Sequence, residues 1–123
     1  MAEVRRRVAA LLLVVLLVGA PAACSSASGS AAPVSTSTVD LPQSYRFAPA
    51  DIAIQAGTTV TWTNHDNFTH SVTFLDGGLP SEPQVMEPGA TTTFAFATPG
   101  QYHYQCHLHP QNMRGSVTVT AAT

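Results

Sequence analysis

From Val39 onward the chain alternates apolar and polar residues with a period of two, the period at which successive side chains point to opposite faces of a strand. Ile52-Ala53-Ile54, Val60-Thr61-Trp62, Val72-Thr73-Phe74 and Val117-Thr118-Val119 all show it. The alternation predicts strands over Ser44–Phe47, Ile52–Gln55, Thr58–Asn64, Ser71–Leu75, Thr91–Ala97, Gln101–Cys106 and Ser116–Thr120. Ala56-Gly57, Asp76-Gly77-Gly78, Pro88-Gly89 and Pro99-Gly100 separate them, each pairing a residue that bends the chain with a glycine that tolerates left-handed backbone. No stretch after the first segment has a helical period. The expected fold is therefore all-β, a small β-sandwich. Its expected core is Phe47, Ile52, Ile54, Val60, Trp62, Val72, Phe74, Phe94, Phe96, Tyr102, Tyr104, Val117 and Val119.

The front of the chain has a different pattern. Arg5-Arg6-Arg7 is followed by an unbroken apolar run from Val8 to Val18 and then by small residues, so residues 1–23 read as an export signal. The run is short for a membrane span. Cys24 follows Ala22-Ala23 and precedes Ser25-Ser26, the setting of the lipid-modified cysteine of a bacterial lipoprotein, although Pro21 stands where such motifs carry leucine. Ordinary cleavage after Ala22 and release is the competing outcome, and the arginines fit either general or twin-arginine export. Residues 24–38 are rich in Ser, Ala and Thr with almost nothing to bury, which predicts a flexible tether. One domain, residues 39–121, remains.

Charge narrows the partners. Beyond the signal, Arg46 and Arg114 stand against Asp40, Asp51, Asp66, Asp76, Glu82 and Glu87, and lysine is absent. A domain this poor in cations cannot neutralise a run of phosphates, which argues against nucleic acid. Charged residues make up only 10% of the chain, so the surface should be Thr, Ser, Gln and Pro.

The chemistry concentrates near the end. Cys106-His107-Leu108-His109 follows an alternating aromatic stretch, Met113 comes four residues after His109, and His70 shares strand parity with Val72 and Phe74. A thiolate, two imidazoles and a thioether suit an ion that must be held in both Cu(I) and Cu(II) states. Singly, His70 reads as a core histidine, Met113 as a gap filler and Cys106 as a small buried hydrophobe. Their combination favours copper. A disulfide between Cys24 and Cys106 is disfavoured, because one sits on a tether and the other in a strand.

The pattern Gly100-x-Tyr102-x-Tyr104-x-Cys106-x-x-His109-x-x-x-Met113-x-Gly115, preceded by Val60-x-Trp62-x-Asn64-x-Asp66-x-x-x-His70-x-Val72, resembles the cupredoxins of the plastocyanin and amicyanin type. It covers roughly Val39 to Ala121. The resemblance implies a Greek-key sandwich in which His70, Cys106 and His109 bind one copper ion in a plane and Met113 binds weakly along the axis. The His109-to-Met113 spacing is one residue longer than in amicyanin-like loops and one shorter than in plastocyanin-like loops. The resemblance also implies electron passage at the His109 ring, with Leu108 and Pro110 contributing an apolar patch.

Other polar residues divide into helpers and bystanders. Asn64 is a candidate to tie the ligand loop to the strand before His70, and equally a turn residue beside Asp66. His65 and His103 read as surface residues, and Met86 as core. His107 with His109 looks like one fragment of a multicopper cluster, which would need several such pairs. The expected function is a non-enzymatic, monomeric electron carrier, since four donors leave no position open for substrate. Its partners would be redox proteins, and lipidated Cys24 would hold it on the outer face of the cell membrane. The alternative is copper storage, delivery or resistance using the same ligands. Zinc would also fit the donors.

Overall fold

The computed structural model describes Gly19 and residues 31–123. Apart from Gly19, the expected export segment lies outside the described residues, as do Cys24 and the first part of the tether. The strands are β1 (Val34–Ser35), β2 (Thr38–Leu41), β3 (Asp51–Gln55), β4 (Thr58–Asn64), β5 (His70–Phe74), β6 (Gln84–Met86), β7 (Thr91–Phe96), β8 (Gly100–Gln105) and β9 (Arg114–Thr120). They form a sheet in the order β1-β3-β9-β8-β5-β6 and a second in the order β2-β4-β7. The expected all-β sandwich is what the chain adopts.

The alternation puts one face of each strand into the space between the sheets. Ile52, Ile54, Val60, Trp62, Val72, Phe74, Phe96, Tyr104, Val117 and Val119 are buried there, with Phe94 and Tyr102 half-buried at the margin. Trp62 is fully buried at the centre, its ring 5.5 Å from Tyr104 and 6.0 Å from Phe74 in edge-on contact. Burying an aromatic ring of about 200 Å² at about 25 cal/mol per Å² favours folding by about 5 kcal/mol before entropy is subtracted. Met86 lies in this core, as expected, on the short strand β6.

Two parts of the chain depart from the alternation. Ser44–Phe47 is not a strand: Ser44 and Tyr45 take φ values of 91° and 52°, left-handed backbone that cannot continue a ladder. This turn places the Tyr45 ring against His109 while Phe47 still reaches the core. The tether expected through Thr38 gives way earlier than that. Val34 and Ser35 pair in parallel with Ile52 and Ala53, and Thr38 opens β2, whose Val39 and Leu41 are buried. Backbone pairing, which composition does not encode, orders these small residues.

Strand directions gather several ends at one pole. β8 ends where β9 begins, and β5 runs antiparallel to β8, so His70, Gln105 and Arg114 all lie near this pole. The hydroxyl of Tyr104 donates to the carbonyl of Ala50 at 2.7 Å, and burial pushes that hydroxyl above its ordinary pKa, so it stays protonated. Gly115, opposite Tyr104 in the ladder, gives the ring its room.

Candidate metal centre

His70 opens β5 on the inward side, and Cys106 follows β8 directly, on the parity of buried Tyr104. After Cys106 the chain turns tightly: His109 N–H donates to the Cys106 carbonyl at 3.2 Å, and Met113 N–H to the His109 carbonyl at 3.0 Å. Cys106 N–H closes the loop on the Met113 carbonyl at 3.0 Å. These bonds bring His109 back toward Cys106 and leave Met113 fully buried.

The three strongest donors converge. Cys106 Sγ lies 3.9 Å from His70 Nδ1 and 3.7 Å from His109 Nδ1, and the three donor atoms are all within 4.8 Å of one another. With bonds of about 2.3 Å to sulfur and about 2.0 Å to nitrogen, as zinc makes, and about 120° between them, an ion would sit between S and N atoms about 3.7 Å apart. The spacing fits a single ion. His70 and Cys106 are fully buried, and His109 is partly exposed. Cys106 Sγ also accepts the Ser71 N–H at 3.4 Å, which fixes the sulfur beside the start of β5.

The remaining histidines stay apart. His65 faces Asp40 at 3.3 Å with both side chains exposed. His103 pairs with Asp76, and the bond from its backbone N–H leads in holding that carboxyl below its ordinary pKa. His107 is exposed and turns away: its Nδ1 lies 2.8 Å from Ser71 Oγ, which also accepts the His107 N–H at 2.9 Å. Ser71 therefore clamps β5 to the residue after Cys106.

Asn64 does not tie the ligand loop. Its amide donates to the carbonyls of Phe68 at 2.8 Å and Met86 at 2.9 Å, while its Oδ1 accepts the Asp66 N–H at 2.9 Å. It shapes the turn that delivers His70, so the turn reading of Asn64 holds in a buried form. Asp66 is the carboxylate that touches the donor set, with Oδ2 2.9 Å from His70 Nε2. The hydrogen bond with His70 leads in holding the Asp66 carboxyl below its ordinary pKa, and burial opposes it. An acid four residues before a buried histidine, in a chain this poor in charge, is the sequence signal for that contact.

Tyr45 lies where no periodicity would place it. Its ring meets His109 at 4.6 Å and 62°, His70 at 5.8 Å and 89°, and stacks on Phe68 at 5.6 Å and 22°. Leu108 is exposed and Pro110 half-buried, and exposed Phe68 reaches the same His109 ring through Tyr45.

Known proteins share this arrangement to different extents. A family model described as a cupredoxin-like domain matches residues 8–119. The plastocyanin of Scenedesmus fuscus is 35% identical over 83 residues, covering 59% of this chain and 85% of that protein. Amicyanin-alpha of Methylorubrum extorquens is 35% identical over 77 residues, covering 60% of this chain and 64% of that protein. The chain spans as little as 50% of some longer plastocyanin relatives, such as that of Physcomitrium patens. Among solved structures, a purple cupredoxin from Nitrosopumilus maritimus superposes with a TM-score of 0.61 at 29% identity, covering 69% of this chain and 100% of that one.

Proposed function

Because this chain belongs to the cupredoxin-like family, whose ion is copper, we propose that it is an exported electron carrier with His70, Cys106, His109 and Met113 as its copper ligands. The observation that carries this reading is the triangle of Cys106 Sγ and two imidazole Nδ1 atoms, with separations of 3.7 and 3.9 Å. Copper supplies a one-electron couple between Cu(I) and Cu(II). The protein's residues do the rest. Cys106 offers a thiolate kept from water, His70 and His109 hold their Nδ1 atoms toward it, and the Cys106-to-Met113 loop is closed by backbone hydrogen bonds.

Such a frame suits electron transfer because the two copper states prefer different geometries. Donors fixed by buried packing cannot rearrange much, which limits the reorganisation that each transfer requires. Four donors also leave no place for a substrate, which supports a carrier over an enzyme. Exposed Phe68 and Leu108 beside partly exposed His109 would give a redox protein an apolar face close to the ion. The test is optical and electrochemical: the copper-loaded domain should show an intense visible thiolate band and a reversible one-electron wave. A colourless protein that binds only Cu(I) would instead mark a delivery protein.

Met113 tunes the couple in this reading. A thioether is soft and favours Cu(I), so Met113→Gln, which presents a harder oxygen, should lower the reduction potential, and Met113→Leu should raise it. A tenfold change in the Cu(II)/Cu(I) ratio appears as about 59 mV in voltammetry. Potentials unchanged in both variants would remove Met113 from the ligand set.

Attachment through Cys24 completes the proposal. The full chain should partition with membranes, and Cys24→Ser should release it or leave its signal uncleaved. A soluble mature protein with an unmodified Cys24 would sink the lipid anchor.

A further inference from the structure

Asp66 and His70 meet inside the fold, with side chains 3% and 0% exposed and Asp66 Oδ2 2.9 Å from His70 Nε2. A carboxylate only accepts, so this contact places the imidazole proton on Nε2 and leaves the Nδ1 lone pair directed at the Cys106 side. Solvent does not compete at this depth. The carboxylate is itself fixed: Oδ1 accepts the Asn67 N–H at 2.7 Å, and the Asp66 N–H is held by Asn64 Oδ1 at 2.9 Å. Asn64 is anchored in turn to the carbonyls of Phe68 and Met86. The chain of contacts from β6 through Asn64 and Asp66 thus ends on the one ring nitrogen of His70 that faces away from Cys106. Among the described residues, no carboxylate pairs with His109.

We propose that Asp66 is a positioning residue that fixes the tautomer and orientation of His70 and shifts the couple toward Cu(II). The inference rests on His70 being a copper ligand. The carboxylate on the far side of the imidazole holds the ring with Nδ1 toward the ion, and fixed negative charge in a poorly screened site favours the more positive ion. Asp66 therefore makes the two histidines unequal: one is locked by a buried charge, the other is held by its loop and by an aromatic ring.

The experiment compares copper-loaded wild type with Asp66→Asn, which keeps the shape and an oxygen for Asn67 but removes the charge. The visible band should survive, Cu(II) affinity should fall about 10- to 100-fold, and Cu(I) affinity should fall less. If the difference is tenfold, the reduction potential rises by about 59 mV. An unchanged potential overturns the proposal, even if the variant melts at a lower temperature, because Asp66 would then only shape its turn. A second measurement does not depend on the variant folding. In nitrogen-15 NMR of the zinc-loaded wild type, His70 should carry a slowly exchanging proton on Nε2. A proton on Nδ1, or an Nε2 proton exchanging as fast as one in open solvent, overturns it. Absence of the visible band in copper-loaded wild type would overturn the copper–thiolate reading on which this proposal rests, a failure distinct from an unchanged potential.

Discussion

Cys106→Ser should abolish the visible thiolate band completely and weaken Cu(I) binding by more than the 10- to 100-fold that loss of an outer hydrogen bond costs. The serine hydroxyl is nearly isosteric, so the fold should persist, but at neutral pH it is an uncharged, hard donor where a soft thiolate is needed. Cys106 is fully buried, and the Ser71 N–H directed at its sulfur would still find an oxygen acceptor. The loss is therefore chemical rather than structural. Absorbance after titration with copper checks it, with thermal unfolding of the apo-protein as the control. His65→Ala and His103→Ala should leave the band unchanged, since neither ring joins the converging donors. A full band in Cys106→Ser would reject the assignment of the ion to this loop.

Gly115→Ala should cost about 3 kcal/mol, at the upper end of what overpacking usually costs. A Cβ at Gly115 would lie far inside van der Waals contact of the Ala50 carbonyl oxygen and of the Tyr104 ring and hydroxyl. The carbonyl is backbone and cannot move aside, while the ring is locked by its bond to that same carbonyl and by edge contacts with Trp62 and Phe47. For a domain of this size about 3 kcal/mol lowers the melting temperature by about 12 to 24 °C. The damage should spread to the ligand loop, because Gly115 lies two residues beyond Met113. Removing the hydroxyl in a Tyr104→Phe, Gly115→Ala double variant should recover part of the loss, as the Ala50 contact remains. A single variant melting within a degree or two of wild type would show that the backbone yields there.

How much of this was legible in the sequence depended on whether the signal was local. β3, β4, β5, β7, β8 and β9 follow from apolar alternation, because a sheet with one buried face leaves that imprint directly. The convergence of His70, Cys106 and His109 was legible from residue type, parity and spacing. Ser44–Phe47 misled because Tyr45 and Phe47 imitate a strand, whereas the backbone at Ser44 and Tyr45 is left-handed and the Tyr45 ring packs on His109 at the ligand pole. β1 and β6 are too short to show a period and exist through their partners. The Asp66 contact depends on a turn whose geometry Asn64 sets, and a four-residue spacing alone does not predict which ring nitrogen a carboxylate meets.

The parallel pairing of β1 with β3, and of β3 with β9, has a geographical meaning. β9 sets out from Arg114 at the ligand pole, so β1 sets out from that pole as well, and Ala31 and Pro33 lie close to Arg114 and Gly115. The polypeptide therefore enters the sandwich beside the metal loop rather than at the opposite end. Were Cys24 held in a bilayer, the residues from there to Pro33 could reach at most about 35 Å. An anchor there would hold the end of the sandwich that carries Cys106 and His109 nearest the membrane and turn the opposite loops toward open solvent.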